Sequence, residues 1–154
     1  MGIVTYPDSV HVLVEGVVEH GDQRGRELGF PTANLVVAED VVRRDGVWAG
    51  LVHLLGVPDS QPWISAVSVG RRPTFYDKQS PRLLEAHLIG FRGDLYGRPI
   101  RVELHARLRP MRAFESADAL VRQLWADVAD TQRWAIAHDL GALLPGRPQY
   151  QPGG

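Results

Sequence analysis

At 154 residues, with a formal net charge of −1 and no cysteine, the chain is sized for one domain and excludes disulfides and thiolate metal sites. Its near-neutral charge argues against broad electrostatic binding to nucleic acid or to an anionic membrane. No apolar run approaches the length of a membrane span and no charged-then-apolar signal segment opens the chain, so a soluble, cytoplasmic protein is the expectation.

In chain order, residues 1–8 read as a loose lead-in with Pro7-Asp8 as a turn signal. Val10 to Val18 is β-branched and strand-like. It runs into a glycine- and charge-rich turn carrying Gly21, Gly25 and Gly29, which closes on Phe30-Pro31-Thr32-Ala33-Asn34. After the apolar run Leu35-Val36-Val37, the segment Gly46 to Leu55 is apolar on both faces and reads as a doubly buried strand. Trp63 to Val69 is a further strand, closed by Gly70-Arg71-Arg72-Pro73. From Arg82 to Phe91, Leu84, Ala86 and Leu88 share one face while Glu85 and His87 share the other. The turn from Arg92 to Gly97 leads to a clean alternation, with Ile100, Val102, Leu104, Ala106 and Leu108 expected inward and Arg101, Glu103, His105 and Arg107 outward. Short strands separated by turns, without intervening helices, imply an antiparallel barrel or sandwich.

The period changes at Ser116, a good N-cap, with Asp118 favourable in the first turn. Leu120, Val121, Leu124, Val128 and Ala135 recur at helical spacing down to Gly141, the expected C′ stop. This helix is expected to lay its apolar stripe on the barrel. Residues 1–143 thus form one mainly β domain, and 144–154, rich in proline and glycine, are expected to be a disordered tail.

Chemistry concentrates in the glycine-rich turn. Glycines at this spacing let main-chain N–H groups approach an anion. Thr32 and Asn34 stand two apart, so in extended structure they face one site, and their neutral oxygens suit a phosphate-bound Mg²⁺. The ordinary alternative is a surface hairpin, with glycines for the turn and Thr and Asn for local capping bonds. It is not a Walker A loop, because GxxxxGK[ST] is missing and the only lysine is Lys78. Nor is it a Rossmann fingerprint, which needs a helix where Pro31 stands. Glu85 on the polar strand face is the other candidate, against the plain reading of a solvated carboxylate; for His87 beside it a structural role is the simpler reading.

The string GVVEHGDQRGRELGFPTANL closely resembles the signature of the riboflavin kinase (flavokinase) family, G-x-V-x-x-G…G-R-x-L-G-[FI]-P-T-A-N, and LLEAHLIGFRGDLYG resembles its E-x-H…D-[LF]-Y-G block. The resemblance implies a six-stranded antiparallel Greek-key β-barrel with a long C-terminal α-helix, and transfer of phosphate from ATP to riboflavin. It implies Glu85 as the base toward the ribityl 5′-hydroxyl and Thr32 and Asn34 as Mg²⁺ ligands. Gly21 and Arg26 fall where the family's flap touches ATP, and Leu88 and Tyr96 where it borders the nucleotide. Leu108-Arg109-Pro110 followed by Phe114 resembles the segment that closes over the flavin, giving Arg109 and Phe114 as flavin contacts; the alternative for Phe114 is a hydrophobic staple at the helix entry.

The implied partners are riboflavin/FMN and ATP/ADP, with no nucleic acid, no membrane and a monomeric chain. Ser68 stands where many bacterial members carry asparagine. The adenylyltransferase domain usual ahead of the bacterial kinase does not occur in these residues, so FMN, not FAD, is the expected product. A flavin- or nucleotide-binding module without kinase activity is the alternative. Thr32, Asn34 and Glu85 together speak against it, since a pure binder needs no base.

Overall fold

Segments with apolar residues at every second position become six strands. They are β1 (Val12–Val17), β2 (Ala33–Val37), β3 (Gly46–Leu54), β4 (Trp63–Arg71), β5 (Arg82–Leu88) and β6 (Pro99–Arg109). The structure is a computed structural model that describes residues 12–20, 32–37, 45–71 and 82–145. The glycine turn with Gly21 and Arg26 lies outside the described residues.

The strands form one sheet in the order β1-β6-β3-β4-β5-β2, with every pairing antiparallel. β3, β4 and β5 are consecutive neighbours, and β6 returns beside β3, which is the Greek-key connection. The sheet curls until its outer strands nearly meet. Glu19, just past β1, bridges Asn34 on β2: Glu19 N donates to the Asn34 carbonyl at 2.8 Å and Val36 N to Glu19 Oε2 at 3.2 Å. The product is a nearly closed barrel. Val14, Leu35, Trp48, Val67, Leu84, Ile100 and Val102 fill its interior.

A second apolar layer lies outside the barrel. Helix α1 (Ala117–Ala137) packs Val128, Trp134 and Ala135, with Leu124 and Trp125, on Ala49, Leu51 and Ile64. This explains the two-faced apolar sequence of β3: Trp48 and Val52 face the interior while Ala49 and Leu51 lie under the helix. Ser116 caps α1 as its sequence suggests, its Oγ accepting from Ala119 N at 3.1 Å.

The C-terminal stop differs from expectation. Asp139, at φ 60°, takes the left-handed position, Leu140 N donates back to the Ala135 carbonyl at 2.8 Å and Asp139 N to that of Ile136 at 3.3 Å. These paired bonds close the helix two residues before Gly141, which begins a short 3-10 turn (Gly141–Leu143). Beyond it Leu144 packs in the outer cluster and Pro145 lies against Gly90.

β6 corrects the alternation expected for it. Its pairing with β3 shifts register between Val47 and Trp48 and again between Ala49 and Gly50. Each shift inserts a residue and reverses the face. Ile100, Val102 and Leu104 point inward, but Ala106 and Leu108 join the helix-side cluster. The second irregularity also brings the Glu103 backbone onto Gly50, where a Cβ would stand 2.2 Å from the Glu103 carbonyl oxygen; only glycine fits there.

Glu103 and His105, expected to face outward, lie on the helix side of the sheet and are buried there. His53 Nε2 and His105 Nε2 meet the two Glu103 carboxylate oxygens at 2.6 and 2.9 Å, and the His105 ring lies 5.1 Å from that of Trp134. Burial pushes the Glu103 carboxyl up, but the hydrogen bonds from His105 and His53 outweigh it and hold it down at about 2. Among the described residues, no helix is long and apolar enough to cross a membrane.

Candidate active site

The site is built on the outer face of the barrel, beside the first half of α1. Leu84 and Ala86 are fully buried in the interior, so the alternation of β5 turns Glu85 and His87 outward. β2 does the same: Ala33 and Leu35 face in, and Asn34 and Val36 face out.

The register then decides which outer residues meet. Asn34 on β2 and Ser68 on β4 stand directly opposite Glu85 from its two sides. Directly opposed side chains on one face have Cβ atoms about 4.5–5.5 Å apart, so carboxamide, carboxylate and hydroxyl form one polar stripe. The same row continues from Ser68 through Val47 to Arg109 on β6.

Asn34 is 9% exposed, and its Nδ2 donates to the Thr32 carbonyl at 3.4 Å. That contact turns one amide hydrogen toward its own strand. Thr32 lies one residue before β2 and is half-buried. Asn34 and Glu85 are brought together by the β2–β5 register, and Thr32 stands two residues before Asn34 on the same strand side.

His87, on the same face as Glu85, meets Trp125 of α1 edge-on with ring centroids 6.4 Å apart, which favours its structural role. Leu88 falls elsewhere. Three positions from Glu85 on a strand of period two, it faces the barrel interior, where it is 5% exposed. Tyr96 is 53% exposed and stacks on His20 with centroids 3.6 Å apart, at the root of the glycine turn. Asp94 Oδ1 accepts from Tyr96 N at 2.9 Å and shapes this corner.

Arg109 and Phe114 are brought together, the guanidinium carbon lying 5.7 Å from the ring centroid. The guanidinium is also committed to the helix: Nε and Nη2 donate to the two carboxylate oxygens of Asp127 at 2.7 and 2.8 Å. Sequence reasoning missed Asp127. The available signal was its place between Leu124 and Val128, where a charge on the buried arc of a helix requires a partner.

Together these features define a β-barrel domain with an acid, an amide and a hydroxyl aligned on an outer shelf, walled by a C-terminal helix. The family model for flavokinase (riboflavin kinase) matches residues 9–135, and the chain belongs to the riboflavin kinase family. It is 39% identical over 114 residues to a bifunctional riboflavin kinase/FMN adenylyltransferase of Escherichia coli K12, covering 74% of this chain and 35% of that one. The chain spans little more than a third of the length of the curated relatives it matches.

Among solved structures, it is similar to a protein described as a macrolide-efflux protein from Streptococcus pneumoniae, with 35% identity, a TM-score of 0.65, and 79% of this chain and 38% of that one covered. It also shares the fold of riboflavin kinase from Trypanosoma brucei, with 23% identity, a TM-score of 0.57, and coverage of 91% and 89%.

Proposed function

We propose that this domain transfers the γ-phosphate of ATP to the ribityl 5′-hydroxyl of riboflavin, giving FMN and ADP. The observation that carries the reading is the direct opposition of Asn34 and Glu85 on the outer face, with Ser68 on the far side of Glu85.

An alcohol is too weak an acid to be deprotonated beforehand by a carboxylate of ordinary pKa, about 4. In phosphoryl transfer the transition state is loose, so the nucleophile need give up its proton only as the new bond forms. Glu85 accepts a hydrogen bond from the 5′-hydroxyl, orients its lone pair toward phosphorus and takes the proton late. The Ser68 hydroxyl, across the ladder, steadies the carboxylate or the ribityl chain.

Asn34 Oδ1 and the Thr32 hydroxyl are neutral hard oxygens on the nucleotide side of Glu85. They fit a Mg²⁺ that takes its remaining ligands from phosphate and water. When bound, the ion supplies charge neutralisation on the transferring phosphate. In this reading Tyr96 borders the nucleotide, and Arg109 and Phe114 border the flavin; Gly21 and Arg26, outside the described residues, keep the ATP contacts that the family resemblance implies for them. We read the domain as a cytoplasmic monomer.

The deciding experiment incubates the purified chain with riboflavin, ATP and Mg²⁺ and separates the flavins. FMN formation supports the reading. Riboflavin binding without FMN would leave a flavin-binding module in its place.

A further inference from the structure

The crossover from β6 to α1, residues 110–116, is tied down by a chain of polar contacts that the transfer chemistry does not itself require. Its centre is Asp127, whose side chain is 3% exposed and which takes both forks of Arg109. Gln123, one turn earlier on α1, donates Nε2 to Asp127 Oδ1 at 2.9 Å and accepts Arg112 Nη2 at 2.7 Å. Arg109 Nη1 donates to the Pro110 carbonyl at 3.1 Å.

Both guanidinium groups lie against Phe114, with carbon-to-centroid distances of 5.7 Å for Arg109 and 5.0 Å for Arg112. Met111 rests on Gly70, where an added Cβ would come within 3.3 Å of Met111 Cγ. Gly70 is two residues beyond Ser68 on β4, so this crossover borders the Glu85 shelf.

A bidentate carboxylate–guanidinium pair fixes direction as well as distance. With Asp127 buried, Arg109 cannot turn away without leaving that carboxylate's charge uncompensated. We propose that Asp127 is a positioning residue for the flavin: by locking Arg109 directly, and Arg112 through Gln123, it sets the Phe114 ring as the wall against which the isoalloxazine lies. Asp127 touches no substrate; it acts through Arg109 and Arg112. The inference rests on the riboflavin kinase reading and deepens it.

The test uses the full chain and measures KM for riboflavin, KM for ATP, kcat, and riboflavin binding by fluorescence quenching. Asp127→Asn keeps the size of the side chain and removes its charge. It should raise the riboflavin KM by about tenfold, the scale of one charge-assisted bond, while the ATP KM stays within about twofold. Asp127→Glu, which restores the charge, should recover part of the loss. Gln123→Ala leaves the Arg109 pair intact and should give a smaller rise, about threefold, again for riboflavin alone. Asp130→Ala, which removes only the surface pair with Arg133, should change neither constant.

Equal rises in both KM values, or an unchanged riboflavin KM in folded Asp127→Asn, would overturn the inference. Should that variant not fold, an unchanged riboflavin KM in Gln123→Ala overturns it equally. If the wild-type chain neither binds riboflavin nor forms FMN, the kinase reading falls and this inference with it. Wild-type turnover with unaltered KM ratios in the variants removes the inference alone.

Discussion

Asn34 and Glu85 occupy directly opposed positions on neighbouring antiparallel strands, 51 residues apart in sequence and both turned away from the barrel interior. Neither side chain's role is evident alone. Opposed, they place a carboxamide and a carboxylate at the spacing of one cross-strand pair, about 5 Å, which in the proposed reaction suits a phosphate and the hydroxyl attacking it.

Glu85→Gln keeps the shape and removes the proton acceptor. The kcat for FMN formation should fall by at least about a hundredfold, while riboflavin still quenches on binding. Turnover within a few-fold of wild type would take Glu85 out of the reaction.

Asn34→Ala and Thr32→Ala each delete one neutral oxygen from the nucleotide side of the shelf. Each should raise the Mg²⁺ concentration for half-maximal rate by about tenfold and weaken ATP, with the riboflavin KM little changed. An identical Mg²⁺ titration curve in both variants would refute the proposed seat.

Glu103 links acid stability to the buried histidine contacts. Its carboxyl is held at about 2 in the fold against 4.5 as the reference, so the stabilisation is fully present above pH 4.5 and is lost as pH falls toward 2. The full effect is on the order of 3 kcal/mol. Glu103→Gln should be less stable than wild type at neutral pH, and the difference should shrink between pH 4.5 and 2 in urea titrations. Parallel acid limbs for the two proteins would count against the clamp.

Gly50→Ala tests the irregular pairing of β6. The new methyl meets backbone, not a movable side chain, so a loss of about 2–3 kcal/mol or more in chemical denaturation is expected. A variant as stable as wild type would mean that the strand pair can slide apart at this point.

Much was legible from residue order alone. Strand positions followed from period-two patterning in β5 and from the doubly apolar β3, because burial on a pleated sheet imposes these patterns directly. The Ser116 cap followed from local hydrogen bonding that needs no distant partner. Thr32, Asn34 and Glu85 were identifiable as candidates from their motif strings.

Tertiary structure decided the rest, because each remaining feature depends on contacts between residues far apart in the chain. The register shifts of β6 come from its pairing with β3 and sent Ala106 and Leu108 to the helix side, against their local alternation. Glu103 and His105 were buried by packing against His53 and Trp134. Arg109 met Asp127 only when α1 folded back on the sheet. Local periodicity records which face a residue prefers; which residue stands opposite it is set by strand order and register, and in this barrel those bring the acid to the amide.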